Sequence, residues 1–137
     1  MLSRLPPLAL ALCACSAIPQ FAAEPSASCP IAASSDWRAW VNVIPGRMNT
    51  HATLHVIGKV TVPSGEWAAR FSNIRVMESY PVQIIVELEA TSSGAGIQVP
   101  IEREVRGSWH TEPAVGSVTI MCRGTTLARI APVDRAD

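Results

Sequence analysis

The chain has 137 residues, 48% of them hydrophobic and 16% charged, and its 11 basic and 11 acidic side chains cancel to a formal net charge of zero. A neutral chain carries no electrostatic footprint for nucleic acid or for an anionic membrane surface, so neither is an expected partner. No nucleotide, metal or catalytic motif stands out, and no cofactor is expected.

Residues 1–14 open the chain with one basic residue, Arg4, ahead of the apolar run Leu8-Ala9-Leu10-Ala11-Leu12-Cys13-Ala14. That run is far shorter than the about 20 residues of a membrane-spanning helix, and a short apolar core behind a basic flank has the form of a secretory signal peptide. Leu12-Cys13-Ala14-Cys15 resembles the lipobox of bacterial lipoproteins, a resemblance confined to the leader. It implies cleavage ahead of Cys15, lipidation of that cysteine, and, with Ser16 rather than Asp following it, an outer-membrane destination. Ordinary cleavage after Ala17, Ala22 or Ala23 is the alternative and would release a soluble periplasmic or secreted protein. Both readings predict export, with membrane contact only through the N-terminal lipid.

Export sets the chemistry of the remaining cysteines. Cys13 leaves with the leader and Cys15 is removed or lipidated, so Cys29 and Cys122 are left as an even pair in an oxidising compartment, where they are expected to form a disulfide. Residues 15–33 are rich in Ala, Ser and Pro and read as a tether. The rest is the size of a single domain with one core, placed at 34–133.

Within it, Ser34-Ser35-Asp36 offers helix-capping groups, and Trp37, Trp40, Val41 and Ile44 then follow a helical period. This predicts a short amphipathic helix over 35–44, ended by Pro45-Gly46. From residue 53 the period changes to two. Leu54, Val56, Val60 and Val62 share one face of a strand, with His55, Ile57, Lys59 and Thr61 on the other. Trp67, Ala69 and Phe71 continue the alternation until Ser72-Asn73 breaks its phase, as one bulged strand or two short ones would. Val82, Ile84, Val86 and Leu88 form the clearest strand, with Ile85 the one apolar outlier.

After the glycine loop 94–96, alternation over 97–106 predicts a strand that Pro100 confines to a sheet edge, with Arg103 out of pattern on the apolar face. Residues 109–116 read as a loop. Val118, Ile120 and Cys122 face the core from the next strand, Gly124-Thr125 turns the chain into a last one, and 134–137 is a polar, frayed tail. The expected fold is therefore mainly β: an antiparallel β-sandwich of about seven short strands preceded by one short helix. It resembles immunoglobulin-like domains in strand count and in a core-facing cysteine, but Cys29 precedes the first strand and the Cys, Trp, Cys order is missing. A small, partly open β-barrel is the alternative.

Candidate chemistry is sparse. His51 and His55 are four apart, which on a helix would suit zinc but on a strand separates the rings by about 13 Å. Met48, His51, Met77, His110 and Met121 are the residues a soft copper(I) site would draw on. Glu87 with Glu89 and Glu102 with Glu104 are carboxylate pairs expected on solvated strand faces. Arg103, Trp109 and His110 are the candidate ligand contacts, Arg103 because a guanidinium on an apolar face needs a partner such as Glu78 or Glu112, and Trp109 as an exposed loop aromatic. The leading expectation is a non-enzymatic binding or structural module of the cell envelope that contacts another envelope protein or a small ligand. The alternative is an exported hydrolase or carbohydrate-binding domain using Trp109, His110 and Glu112.

Overall fold

The computed structural model describes residues 28–44, 52–94 and 96–136. The leader, Cys15, most of the tether, Met48 and His51 lie outside the described residues. Among the described residues the regular structure is all strand, in the order β1 (Ala33–Val43), β2 (Ala52–Val62), β3 (Trp67–Met77), β4 (Val82–Ser92), β5 (Ile101–Thr111), β6 (Val115–Cys122), β7 (Thr125–Ile130) and β8 (Asp134–Ala136). They form two four-stranded sheets, ordered β5-β2-β1-β8 and β3-β4-β6-β7, which face each other and do not close into a barrel.

Alternation builds the core. Leu54, Val56, Val60 and Val62 of β2 turn inward, against Ile84, Val86 and Leu88 of β4 and Val118 and Ile120 of β6. Each such side chain contributes about 1.5–3 kcal/mol of hydrophobic stabilisation when fully buried. Ile85 lies half-buried on the outer face of β4, between Arg75 and Thr119 of the neighbouring strands. The phase break at Ser72 is a bulge between Phe71 and Asn73 in a single strand. At the β6–β7 hairpin both turn residues, Arg123 and Gly124, have positive φ, the geometry that matches the twist of a two-residue turn.

Three expectations are corrected. The predicted helix over 35–44 is strand β1, whose Ala39, Val41 and Val43 alternate inward. A bulge between Ser35 and Arg38, with Asp36 at φ 55°, shifts the phase at the start of β1. Trp40, meanwhile, sits on the outer face, so the helical spacing of apolar residues is coincidental. The sandwich is also not purely antiparallel. β5 crosses to the opposite sheet between β4 and β6, which leaves β4 and β6 running parallel, and β8 pairs parallel with β1. That last pairing gives Asp134–Ala136 a place in a sheet, where a frayed tail was expected.

β5 lies at a sheet edge, as expected, but Pro100 precedes its first residue and takes no part in the ladder. It begins at Ile101 but runs on to Thr111, and β6 starts at Val115, so the expected loop 109–116 shrinks to three residues. Gly107 and Ser108 interrupt the apolar alternation there, although the backbone stays paired with β2 throughout.

Cys29 and Cys122 form the expected disulfide, with Cα atoms 5.5 Å apart and a separation of 93 positions in sequence. The bond fixes the segment ahead of β1 to the end of β6. Ala32 N–H donates to the Thr61 carbonyl at 3.0 Å beside it, and Ile31 is buried.

Candidate functional site

Strand register decides which candidates meet. Arg103 pairs opposite Val60 and His110 opposite Thr53, seven residues apart along β5, or about 23 Å at strand rise. Arg103 therefore belongs to the end of the sandwich near the β2–β3 turn, where its Nη2 donates to the Gly65 carbonyl at 2.9 Å. Neither Glu78 nor Glu112 is its partner, because both sit at the other end. In the turn beside it, one oxygen of Glu66, Oε2, is buried without a donor among the described residues. The Glu66 side chain also fills the space a Cβ on Gly96 would need, so that glycine serves close packing.

Trp109 is not an exposed loop aromatic. It lies in β5, faces inward and is half-buried, with its ring 5.4 Å from Phe71 in an edge-on contact. Phe71 in turn lies 6.4 Å from Trp37, so three aromatic rings from β1, β3 and β5 fill the side of the sandwich. The absence of side chains at Gly58 and Gly107 makes room for them.

The end opposite Arg103 holds the larger feature, an open cleft of about 760 Å³. Val76 and Met77 at the end of β3 line it with Glu78 just beyond them, Val82 lines it from the start of β4, and His110 at the end of β5 lines it with Glu112 just past the strand. This brings two of the sequence candidates, His110 and Glu112, together with Glu78. Met77 lines the same cleft, but Met121 pairs opposite Glu87, well along the sheet on β6, so the imagined copper(I) set does not converge. Among the described residues no three His, Cys, Asp or Glu side chains are grouped to hold a metal ion.

The carboxylate pairs behave as surface groups. Glu87 meets Arg75 at 3.4 Å, Glu102 meets Lys59 at 3.8 Å, and Glu104 pairs with Arg106. Such exposed pairs contribute about 0–1 kcal/mol each.

Sequence reasoning missed one constellation. Trp40, His55 and Ser108 stand opposite one another on β1, β2 and β5, on the outer face of their sheet. The His55 ring stacks on Trp40 at 5.2 Å and 19°, and Arg38 lies 5.6 Å over the indole. Ser108 Oγ is 2.8 Å from His55 Nδ1, and Asn42 Nδ2 is 3.1 Å from Nε2. Only the cross-strand register places these residues together, and nothing in their sequence spacing announces it.

A serine and an imidazole at this distance resemble a nucleophile and its base, but the proton arrangement argues otherwise. With the Asn42 amide donating to Nε2, the ring proton sits on Nδ1 and is given to Ser108, so the imidazole is not placed to take the serine proton. A serine-directed fluorophosphonate is therefore expected to leave Ser108 unmodified, and an adduct at that residue in a peptide map would refute the assignment. Replacing His55 by Ala should cost about 0.5–1.5 kcal/mol through loss of the stacked cross-strand pair, read from urea unfolding.

Comparison of the chain with protein-family models, with curated proteins and with solved structures returns no match. Function rests on the geometry alone.

Proposed function

We propose that this protein is an exported module of the cell envelope that works by binding, tethered to the outer membrane through a lipid on Cys15 or released as a soluble periplasmic form. The observation that carries the address is the Cys29–Cys122 disulfide, a bond compatible with an oxidising exported compartment and rare in a reducing cytosol. The leader-like start of the sequence points the same way. A two-sheet scaffold that holds an open cleft at one end suits recognition of a partner or small ligand.

The alternative, a hydrolase or carbohydrate-binding site built on Trp109, His110 and Glu112, has less support. Trp109 packs its ring edge-on with Phe71 and is not among the residues lining the cleft that His110 and Glu112 share. A stacking platform for sugars would need that indole face free.

The test is fractionation of cells producing the full chain, with alkylation of free thiols before lysis and intact mass analysis. The expected result is a protein recovered with the envelope, blocked at Cys29 and Cys122 and truncated ahead of Cys15 or shortly after it. Cytosolic recovery with alkylated Cys29 and Cys122 would defeat the proposal.

A further inference from the structure

The cleft near Val82 combines an apolar lining with carboxylates that no Lys or Arg among the described residues neutralises. Val76, Met77 and Val82 supply the apolar walls, and Glu78 and Glu112 stand in the same cleft. Among the described residues no Lys or Arg lies within ion-pair distance of either carboxylate. The nearest cation on the same strand, Arg75, is committed to Glu87. Such a site favours a cation with an apolar body.

The cleft also adjoins an open strand edge. β3 is the outermost strand of its sheet. There the Ile74 N–H donates to the side-chain oxygen of the adjacent residue, Asn73 Oδ1, at 2.9 Å. A residue in a strand directs its N–H and C=O to the same side, and the sides alternate. Ile74 thus faces the outer edge, and Val76, two residues on, presents its N–H and C=O there too. An edge that no strand among the described residues pairs is a template for an added strand, and Val76 reaches the cleft just where that strand would end.

We propose that this end of the sandwich docks an extended segment of a partner protein, whose backbone pairs with β3 at Val76 and whose Lys or Arg, flanked by apolar residues, enters the cleft beside Glu78 and Glu112. The inference rests on the binding-module reading and names the partner's chemistry. Charge selects the segment and the strand edge holds it. The flexible Met77 side chain adapts the apolar wall to the flanking residues.

The experiment uses the full mature protein purified from the envelope and a fluorescein-labelled octapeptide of alternating Val and Thr with one central Arg, alongside a twin carrying Glu instead. Saturable anisotropy is expected for the Arg peptide only. Glu78→Gln with Glu112→Gln should weaken it at least about tenfold, equivalent to about 1.4 kcal/mol. Val76→Pro, which removes an outward N–H where an edge strand tolerates proline, should weaken it as well. Glu78→Gln and Glu112→Gln are surface changes that leave folding intact, so the result does not hang on the proline variant. Equal binding of the Glu twin, or unchanged affinity in the double Gln variant, overturns the proposal.

A photo-crosslinker placed in living cells at Ser79, beside the cleft, and separately at Ile57, on the outer face of β2, separates the two levels of inference. Adducts from position 57 alone would discard this docking site while keeping a binding module. No adduct from either position, together with no peptide binding, would discard both.

Discussion

Replacing Cys29 and Cys122 together by Ala is expected to lower stability by about 2–5 kcal/mol and the melting temperature by roughly 10–20 °C. The reasoning is topological. The two cysteines are 93 residues apart, so their bond closes a loop running from ahead of β1 to the end of β6 and confines almost the whole domain in the unfolded state. For a loop near 100 residues the chain-entropy model assigns about 4.7 kcal/mol. The folded state adds a local term, because the disulfide, beside the Arg123 hydrogen bond to the Ser28 carbonyl at 3.4 Å, ties the segment that holds Ile31 against the core to the end of β6. Cys122 is fully buried, so the replacement also leaves a small void beside Val118 and Ile120. Thermal unfolding of the oxidised protein, the same protein under reductant and the double Ala variant checks the expectation. Near-identical melting of all three would show that the core alone sustains the fold. If reduction destabilises and the double variant destabilises further by about 1 kcal/mol, the difference measures the void.

The strands most legible in the sequence are those whose buried face carries a long run of large apolar residues at alternate positions. β2 and β4 carry large apolar residues at a period of two, Leu54, Val56, Val60 and Val62 in one and Val82, Ile84, Val86 and Leu88 in the other, so which face turns inward follows from residue type even across Gly58. β1 misleads for a physical reason. Its outward Trp40 is apolar because it stacks on His55, a partner 15 residues away, and its phase is shifted by the bulge at Asp36. An apolar residue on a solvent face, together with a slipped phase, reproduces the spacing of an amphipathic helix. The latter half of β5 is hidden differently: Gly107 is required by the Phe71 and Trp109 rings, and a glycine followed by serine reads as a loop.

Pairing direction was illegible for a further reason. Whether β4 and β6 run parallel depends on β5 crossing to the other sheet, and an alternating pattern is the same whichever sheet receives it. The candidate cleft shares this limit. His110 and Glu112 could be noticed as polar residues near one another in sequence, but their meeting with Glu78 and Met77 follows from the ends of β3 and β5 lying at one end of the sandwich. Arg103 was expected to pair with Glu78 or Glu112, yet it is exposed and donates to a main-chain carbonyl, which no side-chain inventory contains.

Gly58→Ala should destabilise the protein by about 2–3 kcal/mol, lowering its melting temperature by roughly 10–15 °C, even though alanine is ordinarily the better strand residue. Gly58 lies on the buried face of β2, and the flat of the Trp37 ring covers it closely enough that an added Cβ would overlap ring carbons. The backbone is not the obstacle, since Gly58 has no positive φ. In the unfolded chain the same substitution favours folding by about 0.4–1 kcal/mol by removing conformational freedom. The steric cost must exceed that gain for the prediction to hold. Trp37 cannot simply swing aside. Its ring also rests toward Phe71, which carries Trp109, so displacing it disturbs three strands in both sheets. A double-mutant cycle isolates the cause. Trp37→Ala alone should cost about 3 kcal/mol, at the lower end for a tryptophan because the ring is half-buried. In that background Gly58→Ala should become neutral or slightly stabilising, giving a coupling of about 2–3 kcal/mol between the two positions. Additive losses would mean that the glycine is demanded by something other than the ring above it, and the closure of the sandwich side by Trp37, Phe71 and Trp109 would need another explanation.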